Sequence, residues 1–220
     1  MSYMILGLPR SGTNLVSSIV KYSTKDQFAI EPFSMHFKCV LDYDLVRSNT
    51  MTRKLLCSCG SCHICLVKSQ TRNGRFSFKE TSLFEYLDIF KEEFKIDRVV
   101  YVDRNVDDII NSYCNSNLVY KWDIRNRIFF RNSSSASSAL SDQEIVQEIC
   151  IRKTASWLKY KNLFNTLTIS YEDIMSSPIE EFREIHKFLE LDFDKNQEIL
   201  ISNKISKGAR NYTYGTFRHL

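Results

Sequence analysis

The sequence predicts an α/β domain in which a parallel sheet carries helices on both faces, and three observations point that way. Short runs rich in β-branched and aromatic residues alternate with stretches whose apolar residues recur at helical spacing. The chain has 220 residues, 43% of them hydrophobic, which suits one well-buried domain and is too short for two ordinary ones. The first apolar run opens into a glycine-bearing loop directly before a helical pattern, the arrangement by which open α/β sheets hold ligands at their edge.

Taken in order, Tyr3 to Leu6 is a short apolar run that ends at Gly7, and Leu15, Val16, Ile19 and Val20 then form a helical stripe. Phe76 to Lys79 is the second strand, followed by a helix with Leu83, Tyr86, Leu87, Phe90 and Phe94 on one face. Arg98 to Val102 is β-branched and aromatic, and Val106, Ile109, Ile110 and Tyr113 continue at helical spacing. Leu167 to Ile169 is the fourth strand. Ile179, Phe182, Ile185 and Leu189 make the stripe of a helix that starts near Pro178. Three stretches break this rhythm within the single domain, 1–220: a Cys-rich insertion at about 39–75, a Ser-rich run at about 132–138 that reads as a flexible loop, and a basic, aromatic tail at 203–220.

Lys and Arg total 30 against 26 Asp and Glu, a formal balance of +4 spread along the chain. This argues against a nucleic-acid coat and suits a pocket for a small anion. No apolar run approaches the roughly 20 residues that span a bilayer, so no membrane partner is expected. The first residues run straight into a strand without a basic, apolar leader, and a cytoplasmic location is the corresponding expectation. Nothing in the sequence sets the oligomeric state.

The loop Gly7-Leu8-Pro9-Arg10-Ser11-Gly12-Thr13-Asn14 lies between the first strand and the first helix, where backbone N–H groups and the helix dipole favour an anion. Gly7 and Gly12, with four residues between them, match the glycine spacing of a nucleotide P-loop, yet Thr13 and Asn14 stand where that motif has Lys followed by Ser or Thr. The Lys that reaches the β- and γ-phosphates is therefore missing, along with the hydroxyl that serves magnesium. Arg10 and Ser11 offer a fixed cation and a hydroxyl donor instead.

Pro9 to Leu15 resembles the 5′-phosphosulfate loop of sulfotransferases that use 3′-phosphoadenosine 5′-phosphosulfate. Val100-Tyr101-Val102-Asp103-Arg104-Asn105 through Ser112 is similar to that family's 3′-phosphate motif, a strand ending in Arg with Ser eight residues later on the next helix. The segment from Ile169 to Ile174 with Pro178 is similar to the family's strand-to-helix stretch, in which a residue matching Tyr171 lies beside the adenine. Lys207-Gly208 resembles the Lys-Gly that clamps the 3′-phosphate in cytosolic members, although the preceding Arg is replaced by Ser206.

The resemblance implies a P-loop-like fold and transfer of a sulfuryl group to a hydroxyl or amine of a small molecule or glycan. It gives Arg10, Ser11, Gly12, Thr13, Asn14, Arg104, Ser112, Tyr171, Lys207 and Gly208 to donor binding. It also gives Lys79 to the leaving oxygen, with Arg10 as the second catalytic charge, holding the 5′-phosphate from the other side. Thr81 stands where cytosolic members place a His base. Glu31 in Ala29-Ile30-Glu31-Pro32-Phe33 resembles the Glu of carbohydrate sulfotransferases and is the chosen base, with Glu80 and His36 as alternates.

Two other readings compete: an atypical P-loop kinase or NTPase, for which Asp103 is the best magnesium ligand, and a zinc-containing interaction module on a degenerate α/β scaffold. Cys57, Cys59, Cys62 and Cys65 fall within nine residues, with the two-residue spacing of a zinc knuckle repeated. A structural zinc is the expectation for a reducing compartment, and disulfides are the alternative for an oxidising one.

Overall fold

The computed structural model describes residues 2–24, 28–30, 77–81, 84, 87–115 and 141–206. Five strands form one sheet: β1 (Ser2–Gly7), β2 (Phe28–Ile30), β3 (Ser77–Glu80), β4 (Ile96–Asp103) and β5 (Asn165–Ser170), in the order β2-β3-β1-β4-β5. Every pairing is parallel. Seven helices accompany them among the described residues: α1 (Thr13–Ser23), α2 (Leu87–Phe94), α3 (Val106–Cys114), α4 (Asp142–Tyr160), α5 (Tyr171–Ser176), α6 (Pro178–Leu189) and α7 (Lys195–Ser206).

Strand alternation divides the core in two. Met4, Leu6, Phe78, Val99 and Tyr101 point to one face, where they pack with α2, α3 and α4 through Phe90, Ile109 and Trp157. Tyr3, Ile5, Val100, Val102 and Ile169 point to the other, against α1, α5, α6 and α7 through Val16, Ile174, Phe182 and Ile201. Helices on both faces explain why the central strand β1 carries a nearly unbroken apolar run, since neither of its faces meets water.

The register places Gly7 beside Val102, Leu6 beside Glu80, and Asp103 beside Ser170, so the carboxyl ends of β1, β3, β4 and β5 form one edge. From β1 the chain leaves toward β2 and β3 on one side, then returns across to β4 and β5 on the other. The crevice between β1 and β4 is therefore the topological switch point of the sheet, where such folds bind ligands.

Three elements lie outside the sequence reading. β2 is only three residues long, below the length at which alternation is legible. The apolar residues of α4 spread around the helix, with Ile151 and Leu158 exposed while Ile145, Ile149 and Trp157 are buried, and this blurs the stripe. Its start was nonetheless signalled, because Ser141 and Glu144 form a reciprocal capping box. Residues 203–206, grouped with the irregular tail, complete the last turn of α7. The Cys-rich insertion, the Ser-rich run and the tail from 207 onward lie outside the described residues.

Candidate active site

β1 ends at Gly7, and the chain turns through residues 8–12 into α1. The Ser11 N–H donates to the Leu8 carbonyl at 3.0 Å and closes the turn. Gly7 is packed so tightly that a Cβ there would lie 2.6 Å from the Val102 carbonyl oxygen and 2.6 Å from the Ser11 hydroxyl. Arg10 and Gly12 adopt left-handed backbone, with φ of 70° and 97°. Gly12 is the N-cap of α1, no side chain caps that end, and the first turn carries no acid. The positive end of the helix thus meets the loop without an internal counter-charge. Ser11 is buried, and its hydroxyl has no hydrogen-bond partner among the described residues. An orphaned buried hydroxyl is costly, and a ligand oxygen would satisfy it.

Three cations surround this loop. Lys79, near the end of β3, is buried and donates from Nζ to the Asn14 side-chain oxygen at 2.7 Å. It pairs in register with Ile5, so its side chain falls on the face that α1 covers, which is why it meets Asn14. Arg10 Nε donates to the Ser112 hydroxyl on α3 at 3.0 Å. Arg104, just beyond β4, donates from Nη1 to the Arg10 carbonyl at 2.8 Å, and its Nε is buried without a hydrogen-bond partner among the described residues.

Tyr171, the first residue of α5, closes the far side. Its ring lies under the Arg104 guanidinium, 4.3 Å from Cζ to the ring centroid, a cation–π stack. The same ring fills the space beside Gly12, where a Cβ would come within 2.3 Å of Cδ2. Glu172 follows it and accepts hydrogen bonds from the Asn105 N–H at 3.4 Å and the Ser170 hydroxyl at 2.9 Å. Partial burial acts to raise the pKa of this carboxyl. Hydrogen bonds from its own backbone, Ser170 and Asn105, with the charge of Arg104, outweigh burial and hold it below the usual carboxylate value.

Nine of the residues singled out from sequence therefore meet at one edge: Arg10, Ser11, Gly12, Thr13, Asn14, Lys79, Arg104, Ser112 and Tyr171. Glu80 follows Lys79 but alternates to the opposite sheet face, where its Oε1 accepts the Thr81 N–H at 2.9 Å. Glu31, His36, Lys207, Gly208 and the four clustered cysteines lie outside the described residues. Among the described residues no group of His, Cys, Asp and Glu is arranged to hold a metal ion, and no helix is long and apolar enough to cross a membrane.

The profile of the sulfotransferase domain matches residues 2–211. The chain belongs to the sulfotransferase family. Within that family, an amine sulfotransferase of Oryctolagus cuniculus is 28% identical over 101 residues, a stretch that spans 46% of this chain and 32% of the rabbit protein. Solved sulfotransferase structures share this fold. The sulfotransferase domain of the curacin biosynthetic pathway has a TM-score of 0.57 at 13% identity, covering 89% of this chain and 75% of its own. The corresponding domain of the Synechococcus PCC 7002 olefin synthase gives 0.55 at 15% identity, with 98% and 90% covered. A mouse sulfotransferase solved in complex with PAP gives 0.53 at 15% identity, with 93% of this chain and 63% of the mouse chain covered.

One cation of this sulfotransferase-family domain was missed from sequence. Lys153 on α4 donates from Nζ to the Thr81 carbonyl at 2.7 Å and lies 5.1 Å from the Phe84 ring centroid. It ties the end of β3 to α4. Recognising the Ser141 capping box would have placed α4, and with it Lys153, in the sequence.

Proposed function

We propose that this domain is a sulfotransferase that takes 3′-phosphoadenosine 5′-phosphosulfate as donor and a hydroxyl or amine of a small molecule or glycan as acceptor. One observation carries the reading. Arg10, Lys79 and Arg104, brought from three separate strand ends, surround an uncapped helix N-terminus beside an orphaned Ser11 hydroxyl. That is a receptacle for an anion with charge at more than one point.

The donor supplies an already activated sulfuryl group, so the protein's task is placement and charge control. The N–H groups of residues 11–14, the Ser11 hydroxyl and Arg10 hold the 5′-phosphate. Lys79, steadied by Asn14, meets the oxygen that becomes the leaving group and stabilises the charge that develops there. Arg104, Ser112, Lys207 and Gly208 receive the 3′-phosphate, with Tyr171 beside the adenine. Glu31 takes the proton from the acceptor as its oxygen or nitrogen bonds to sulfur, and 3′,5′-diphosphoadenosine departs.

The cysteine cluster serves as a structural zinc site of Cys57, Cys59, Cys62 and Cys65 that pins the insertion on the acceptor side. The support is the spacing of the thiols in the sequence. Elemental analysis of protein purified without chelator should then find about one zinc per chain; absence of zinc, with the thiols paired, removes that part and leaves the transferase reading intact.

The deciding measurement is thermal unfolding with ligand. At a hundredfold excess over Kd, 3′,5′-diphosphoadenosine should add about 2.7 kcal/mol of stability, while ATP with magnesium adds none. Stabilisation by ATP with magnesium alone would overturn the proposal in favour of a P-loop kinase or NTPase.

A further inference from the structure

Arg10 and Gly12 are both held in left-handed backbone, and Arg10 has a side chain that makes this conformation unfavourable. Such a conformation persists only where the surroundings over-determine it. Arg104 and Tyr171 each constrain one of the two residues, and the two constraints touch. The Arg10 carbonyl is fixed by Arg104 Nη1 at 2.8 Å. Gly12 is bounded by the Tyr171 ring, and Arg104 stacks on that ring at 4.3 Å. Glu172, next to Tyr171, in turn accepts the Asn105 N–H next to Arg104.

We propose that Arg104 and Tyr171 form a clamp that sets the shape of the phosphate loop from outside, in addition to whatever contacts they make with nucleotide. Both are positioning residues in this role. Arg104 acts on the backbone at Arg10, and Tyr171 acts as a wall at Gly12. The inference rests on the reading of residues 7–14 as the loop that binds the 5′-phosphate end of the donor. Its consequence is that the loop's grip on a 5′-phosphate depends on a residue from the neighbouring strand even when the ligand carries no 3′-phosphate.

The shape of Arg matters here, because its planar fork reaches the carbonyl while its flat face stays on the ring. A Lys reproduces the charge and neither of those contacts at once. Tyr171 matters for its ring and not for its hydroxyl, because the atoms facing Gly12 are Cδ2 and Cε2.

Amide hydrogen exchange of the nucleotide-free protein tests the clamp directly. In Arg104→Ala, Arg104→Lys and Tyr171→Ala, exchange at the Ser11 N–H should quicken by about tenfold, the loss of roughly one hydrogen bond's worth of local stability. Exchange in α6 should be unchanged, which separates loop release from global unfolding. Tyr171→Phe should restore the slow exchange. Calorimetry with 5′-AMP then reads the consequence: Arg104→Lys should lower its affinity by about three- to tenfold although it has no 3′-phosphate to lose. Unchanged loop exchange in all three variants, or a loss confined to 3′-phosphorylated nucleotide, overturns the clamp and leaves the functional reading in place. A wild-type protein that binds neither 5′-AMP nor 3′,5′-diphosphoadenosine overturns the functional reading instead, while the exchange result still decides the clamp.

Discussion

Lys79 carries the sharpest residue-scale test of the proposed chemistry. It is buried near a strand end and spends one donor on Asn14. Under the proposed function, removing it would leave the leaving group's charge unbalanced and spare the other donor contacts. Lys79→Met should therefore lower kcat by about 100-fold or more, with little change in the affinity for 3′,5′-diphosphoadenosine. Glu31→Gln, nearly isosteric, should lower turnover on a similar scale without weakening donor binding. Steady-state kinetics beside calorimetric titration separates the two quantities. A fall in affinity with kcat preserved would reassign Lys79 to ground-state binding, and unchanged turnover in the Glu31 variant would move the search for the base to Glu80 and His36.

Among the elements, α4 contributes most that the apolar pattern does not announce. Trp157 stacks on Tyr101 of β4 with centroids 4.7 Å apart and an interplanar angle of 6°, and both rings are buried. On the same face, burial pushes the Cys150 thiol up to about 11, against the smaller opposing effect of Lys153, so this thiol stays neutral and unreactive. Trp157→Ala opens a cavity against the central sheet and should cost about 3 to 5 kcal/mol. Ser141→Ala removes only the cap and should cost about 1 kcal/mol. Denaturant unfolding of both variants checks the ranking, and a cap substitution as damaging as the tryptophan deletion would show that α4 is held by its end and not by its face.

Across the whole molecule, the two ends of the described chain are fastened by one buried histidine. His186 on α6 donates from Nδ1 to the Phe182 carbonyl at 2.6 Å and accepts at Nε2 from the Ser23 hydroxyl of α1 at 2.8 Å. Gln197 of α7 donates to the same Ser23 oxygen at 3.2 Å. Burial lowers the pKa of His186 below its ordinary 6.5, and the bond to the Phe182 carbonyl opposes this only in part. The folded ring therefore stays neutral where the unfolded one takes a proton. Between the lowered folded pKa and 6.5 the unfolded state binds more protons, so stability rises with pH across this window and is lost as pH falls through it. Urea unfolding between pH 5 and 8 should show a weaker dependence in His186→Gln than in the wild type; identical slopes would remove His186 from the account.

Much of this was legible in the sequence, for local reasons. Short β-branched and aromatic runs marked four of the five strands, and period-3.6 stripes marked the helices with a narrow apolar face, because these patterns reflect the local backbone and the burial of each element. The loop from Gly7 to Asn14 was legible as well, since a glycine-bearing turn between strand and helix has few conformations open to it. Only the tertiary structure decided the strand order, and with it that Arg10 meets Ser112 across 102 residues and Arg104 across 94. Those meetings depend on which strand ends lie side by side at the switch point, a property of the packed sheet that no local pattern encodes. Likewise the left-handed φ of Arg10 belongs to the clamp that surrounds it, for an isolated arginine has no reason to adopt it.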